Sequence, residues 1–184
     1  MFLPTVAHEV LEFWFGELTP MQWFKPDPEV DRTIADRFGV LLAEFTSDGV
    51  PPTWLESAKG RLAAVIVLDQ FPRNIHRGTP GAFATDQAAF ALADEAITLG
   101  LDEELSEPEC TFLYMPFQHI EDAAVQNRSV ALYTKLGNPD TIAYSEAHRD
   151  VIGRYGRFPH RNTILGRVST ADEEEYLAQP DAGF

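Results

Sequence analysis

Cysteine is nearly absent from this sequence: Cys110 is the single one, so no intrachain disulfide can form. A chain of 184 residues needs none, because one domain of that length buries a core without staples. The lone thiol fits a reducing compartment. Long hydrophobic runs are missing too. The longest uninterrupted one, Leu62 to Leu68, is bounded by Arg61 and Asp69, whereas a bilayer span needs roughly 20 apolar residues. The opening MFLPTVAHEVLEFWF has neither the basic start nor the small-residue cleavage site of a secretory signal. A soluble, cytoplasmic protein is the expectation. Positive charge is scarce, with 14 Lys and Arg against 29 Asp and Glu, a formal net charge of −15. That argues against the basic face a nucleic-acid binder needs and disfavours anionic membranes, so neither nucleic acid nor membrane is expected as a partner.

The few positive charges are concentrated. Arg73 and Arg77 form one stretch, and Arg149, Arg154, Arg157, Arg161 and Arg167 another. Arginine gathered in an acidic chain points to a local anion site or to internal ion pairs.

Helical signals recur along the whole length. Pro4 leads into an apolar stripe at Val6, Val10, Phe13 and Trp14 that Gly16 closes. Asp27-Pro28 reads as a cap and first position, followed by Ile34, Phe38, Leu41, Leu42 and Phe45 up to Gly49. Between Ser57 and Gln70 the centre AAVIVL is ambiguous. Its β-branched trio suits a buried strand, while its length suits a helix. Further helices are predicted from Thr85-Asp86 to Gly100, from Glu107-Pro108 with a kink or restart at Pro116, from Asp122 to Leu136, and from Asp140 to Tyr155. Ser169-Thr170 followed by Asp172-Glu173 predicts a capping box and a short acidic last helix. The expectation is an all-α protein, a single helical domain over residues 1–184. It would hold about seven to eight helices stacked as antiparallel pairs, with no legible fixed-period repeat.

Two segments resemble each other: Asp69-Gln70-Phe71-Pro72-Arg73-Asn74 and Arg157-Phe158-Pro159-His160-Arg161-Asn162. In each, proline is expected to end the helix and hold the preceding Phe extended, so that Phe plugs the core while Arg and Asn project. An Arg fork with a neighbouring Asn suits a carboxylate or phosphate. Arg73, Asn74, His148, Arg157, Arg161 and Asn162 are therefore the candidate ligand-binding residues. The plain alternative is that they satisfy helix ends. Asp69 and His148 each fall on an apolar helical face, where an ionisable group needs a partner.

Asp69, His119, Glu121 and His160 are the candidate catalytic residues, with carboxylates as general base and imidazoles as proton partners. The same four side chains could hold a divalent metal as an alternative, although no cofactor is predicted. No zincin helix, P-loop, cysteine-rich zinc motif or Gly-x-Ser-x-Gly elbow occurs. The leading expectation is a binding module for a small anionic ligand or peptide. A small-molecule hydrolase and a purely structural polar network are the alternatives.

The order of several segments carries a resemblance. They are Val10-Leu11-Glu12-Phe13-Trp14-Phe15-Gly16, Leu68-Asp69-Gln70-Phe71-Pro72-Arg73-Asn74-Ile75, Phe112-Leu113-Tyr114-Met115-Pro116-Phe117, and Arg157-Phe158-Pro159-His160-Arg161-Asn162 with Leu165-Gly166-Arg167. With these the chain resembles the mostly bacterial family catalogued as domain of unknown function nine hundred and twenty-four. Gln118 stands where the family pattern has Glu. The resemblance implies a helical, tetratricopeptide-like right-handed array and resolves AAVIVL as helix. It implies no established activity.

Overall fold

The computed structural model describes residues 3–180 and 182–183, and within them every regular element is helical. No helix of the described residues is long and apolar enough to cross a membrane. Internal contacts divide the chain into two compact units. Unit 1 holds residues 1–77 and 81–116, and unit 2 holds 78–80 and 117–184.

In unit 1, α1 (Thr5–Leu11) runs into a π-helical turn at Glu12–Glu17, followed by α2 (Pro20–Phe24) and α3 (Pro28–Asp48). Asp27 caps α3 by accepting from the amides of Glu29 and Val30, and Pro28 occupies its first turn. The buried side of α3 is Val30, Ile34, Phe38, Leu42 and Phe45, one residue per helical turn.

At the centre lies α4 (Ala58–Val65), continued by a π turn at Ile66–Gln70 and by α5 (Phe71–Ile75). Gly60 is required here, because a Cβ would lie 2.2 Å from the Trp54 carbonyl oxygen. Residues 60–72 are all buried. A helix covered on every side has no polar stripe, which is why AAVIVL carried no helical periodicity of its own.

Pro72 does not end the helix, contrary to the sequence expectation. Phe71 is helical (φ −60°, ψ −37°) and its amide reaches back five residues to the Ile66 carbonyl. The π turn accommodates the proline, and other groups replace the missing main-chain donor. Thr85 Oγ1 donates to the Leu68 carbonyl at 2.5 Å. That oxygen is the one residue 72 would bond in an ordinary α-helix. Arg73 Nη1 donates to the Asp69 carbonyl at 2.6 Å. Replacing Thr85 with valine keeps the shape and strands this buried carbonyl, so urea unfolding should show a loss of about 1–3 kcal/mol. A change within about 0.3 kcal/mol would remove Thr85 from this account.

Two further helices follow, α6 (Asp86–Thr98) and α7 (Glu107–His119). Pro116 lies inside α7, which runs through it without restarting. The core of unit 1 is aromatic. Phe71 stacks on Phe38 at 5.0 Å between ring centroids and meets Trp14 at 5.9 Å, and Trp14 meets Phe112 edge-on at 5.4 Å.

Unit 2 begins within α7 and continues with α8 (Ala123–Leu136) and α9 (Pro139–Tyr155). Asp122 caps α8 and Asn138 caps α9 through their side-chain oxygens. The short connection folds the two helices into an antiparallel hairpin. Its buried centre is a hydrogen bond of 2.9 Å between the Ser129 and Ser145 hydroxyls. Beyond α9, Phe158 is extended (φ −89°, ψ 106°), as expected before proline, and leads into a turn at Pro159–Arg161. The last helix, α10 (Ala171–Leu177), carries the predicted capping box between Thr170 and Glu173.

Candidate functional site

Three of the sequence candidates lie in unit 1. Asp69 is fully buried by the π turn, where Gln70 Nε2 donates to its Oδ2 at 2.5 Å. Arg73 Nη1 is 3.5 Å from Asp69 Oδ1, but its main partner is Asp86. The guanidinium grips Asp86 with both nitrogens, at 2.7 and 3.0 Å, a bidentate charge-assisted pair. Burial alone would weaken the Arg73 charge, yet Asp69 and Asp86 raise its pKa above the ordinary arginine value. Asn74 donates to Asp31 Oδ1 at 2.8 Å, and Arg77 closes on the same carboxylate. The first Phe-Pro segment thus ties α5 to α6 and α3 by polar contacts.

The remaining candidates lie in unit 2 and divide into two groups. One is a frame of ion pairs. Arg157 donates to both oxygens of Glu173, at 2.6 and 2.7 Å. Glu173 also accepts from the Thr170 amide at 2.7 Å, and Asn162 Nδ2 is 3.4 Å from it. The Arg157 fork and then the Thr170 amide hold the Glu173 carboxyl down to about 2. Glu121 is bound in the same manner. It accepts from Arg167 at 2.7 and 3.0 Å and from the Phe158 amide at 2.7 Å. Burial would raise its pKa, but the Arg167 fork and that amide outweigh burial and lower it.

The second group surrounds Phe158. The His148 and His160 rings each have their centroid 5.6 Å from that of Phe158, and the Arg161 guanidinium carbon lies 4.6 Å from it. His148 Nδ1 is 2.9 Å from the Tyr144 carbonyl oxygen. A carbonyl only accepts, so Nδ1 carries the proton in the neutral ring. Burial pushes the His148 imidazole down to about 3. The Tyr144 hydrogen bond opposes that shift, and the charges at His119, His160 and Arg161 add to it. Burial and then Arg161 push His160 down to about 4. His119, on the last turn of α7, thus shares the electrostatic neighbourhood of His148 and His160.

Four residues central to these contacts were not among the sequence candidates: Asp86, Asp31, Glu173 and Arg167. Asp86 shows in the sequence as a first-turn acid, Glu173 as part of the predicted capping box, and Arg167 as one of the concentrated arginines. Asp31 is likewise a first-turn acid, of α3.

A family model described as a bacterial protein of unknown function (DUF924) matches residues 10–181. The solved structure of a protein of unknown function, ATU0120 from Agrobacterium tumefaciens, is similar to this chain, with a TM-score of 0.89 and 42% identity. The match covers 94% of this chain and 97% of that one. No curated protein matches.

Proposed function

The chain belongs to the bacterial DUF924 family, and on that premise we propose that unit 2 is a binding module for a small anionic group. That group is a carboxylate or phosphate of a metabolite or peptide. The observation that carries this reading is the gathering of His148, His160 and Arg161 around the Phe158 ring. It occurs in a protein whose net charge is −15.

Burial first, with the neighbouring positive charge of Arg161, pushes the two imidazoles toward the neutral form. An arriving anion reverses that balance, because opposite charge nearby favours the protonated ring. The Arg161 fork supplies a permanent charge. In this reading Arg157, Asn162, Glu121 and Arg167 are the frame that holds the segment carrying Phe158. Arg73 and Asn74 play the same part in unit 1. The antiparallel hairpin of α8 and α9 is the kind of pair from which tetratricopeptide-like arrays are stacked.

A hydrolase with Glu121 as its base is the weaker reading. Both carboxylate oxygens are engaged, and the lowered pKa makes a poor proton acceptor.

The test is a titration with inorganic phosphate and with acetate, followed by NMR of 13C-labelled histidine and by calorimetry. Saturable shifts of the His148 and His160 resonances are expected. Arg161→Ala should weaken binding by about tenfold or more, the usual loss for a hydrogen bond to a charged group. If neither anion moves any histidine resonance at millimolar concentration, the reading fails.

A further inference from the structure

Tyr144 lies one turn before His148 on α9. Their ring centroids are 4.8 Å apart with the planes inclined at 55°, and the Tyr144 carbonyl oxygen is the partner of His148 Nδ1. The two residues differ in burial: His148 is 3% exposed and Tyr144 47%. Inward from His148 the contacts continue through the Phe158 ring to His160 and the Arg161 guanidinium. Tyr144 is thus the water-facing end of a ladder of rings that leads to the basic groups. A surface tyrosine usually turns its hydroxyl to water and rests its ring on the protein. Burial raises the Tyr144 hydroxyl above its ordinary value, so the hydroxyl is not the fully hydrated end, and part of the exposed area is ring. The exposed neighbours Ala143 and Ala147 end in methyl groups too short to cover it.

We infer that Tyr144 is a stacking platform, and that the anion bound beside it carries an aromatic ring joined to its phosphate or carboxylate by a short linkage. The inference rests on the binding reading above. With the His148 ring 4.8 Å from the Tyr144 ring, one small molecule spans the platform and the edge of the basic cluster. Aromatic pairs favour offset or edge-on contact, which adds about two- to tenfold in affinity beyond the area buried. Tyrosine supplies that area at low entropic cost, having only two side-chain torsions to fix. An aliphatic anion leaves the ring in water and forgoes the gain.

The test uses the full chain and two pairs of probes: methyl phosphate with phenyl phosphate, and acetate with phenylacetate. Each is titrated near neutral pH into the unmodified protein and into Tyr144→Leu, followed by calorimetry and by the histidine NMR resonances. Leucine keeps apolar bulk, and the carbonyl that holds His148 is main chain and stays. An aromatic probe is expected to bind the unmodified protein about two- to tenfold more tightly than its aliphatic partner. Tyr144→Leu should remove that preference and leave the aliphatic probes unchanged. A preference within one pair alone supports the platform and assigns the anion as phosphate or carboxylate. If aromatic and aliphatic probes bind equally at the histidines, the platform is overturned and the binding reading stands. The same holds if the preference persists in Tyr144→Leu. If no probe moves a histidine, the binding reading fails and the platform with it. Should Tyr144→Leu fail to fold by circular dichroism, nuclear Overhauser contacts between the phenyl protons and the Tyr144 ring decide. Their presence supports the platform and their absence overturns it.

Discussion

Arg73→Ala is expected to lower the stability of the protein by about 3–5 kcal/mol, the usual consequence of leaving buried carboxylates without their cation. Three features put the loss at the high end for a single substitution. The Asp69 side chain is fully buried and that of Asp86 is 10% exposed, so neither is well hydrated once the guanidinium is gone. The contact to Asp86 is bidentate, and the same side chain bonds the Asp69 carbonyl beside the π turn. One truncation therefore removes an ion pair and a donor to main chain at a helix irregularity. Urea unfolding of Arg73→Ala, Asp86→Ala and the double variant checks this. The double variant should be more stable than the sum of the single losses predicts, because removing both partners strands less charge. A loss below about 1 kcal/mol for Arg73→Ala would show the pair to be no better than a surface ion pair.

The second large effect is acid sensitivity. His148 and His160 are pushed from the ordinary 6.5 down to about 3 and about 4. Below pH 6.5 the unfolded chain takes up protons that the folded protein refuses. Stability is thus fully present above that pH and falls as the pH drops toward the folded values. Between about pH 7.5 and pH 4.5 each histidine should remove on the order of 2 kcal/mol. Glu173 extends the loss downward. Its contribution is present above the ordinary carboxylate value of 4.5 and is lost as pH falls toward about 2. Denaturation midpoints measured at half-unit intervals of pH should therefore decline through this whole range. His148→Leu, which cannot titrate, should flatten the limb between pH 6.5 and 4.5 by about half. Stability that stays level from pH 7 to pH 5 would contradict the buried neutral state of both rings.

The binding reading adds a further sign to the same groups. An anion that favours the imidazolium form should bind more tightly as pH falls, and its presence should blunt the acid loss.

Much of the helical layout was written in short-range signals. Asp27-Pro28, Asp122 and Thr170 with Glu173 each start a helix by supplying an oxygen to its first amides. Such caps act over two or three residues, so they are legible without the fold. The periodic face of α3 was legible for the same reason, since only one of its sides is buried. The all-helical class and the family pattern also belonged to the sequence by itself. So did the extended Phe158, which the following proline dictates through local sterics.

The two Phe-Pro segments show where local reading stopped. Pro159 behaves as its sequence requires, whereas Pro72 stays within a helical path. The difference is that Thr85, thirteen positions beyond Pro72, is folded back to serve the carbonyl the proline leaves behind. The partners that define the candidate residues are equally remote: Arg73 with Asp86 at a separation of 13, Arg157 with Glu173 at 16, and Arg167 with Glu121 at 46. Rules of helical spacing reach three or four residues. Sequence alone therefore determined where several helices begin and which residues could carry charge. The tertiary structure decided which charges close on one another and which groups gather around Phe158, because burial and partnership are properties of the packed chain.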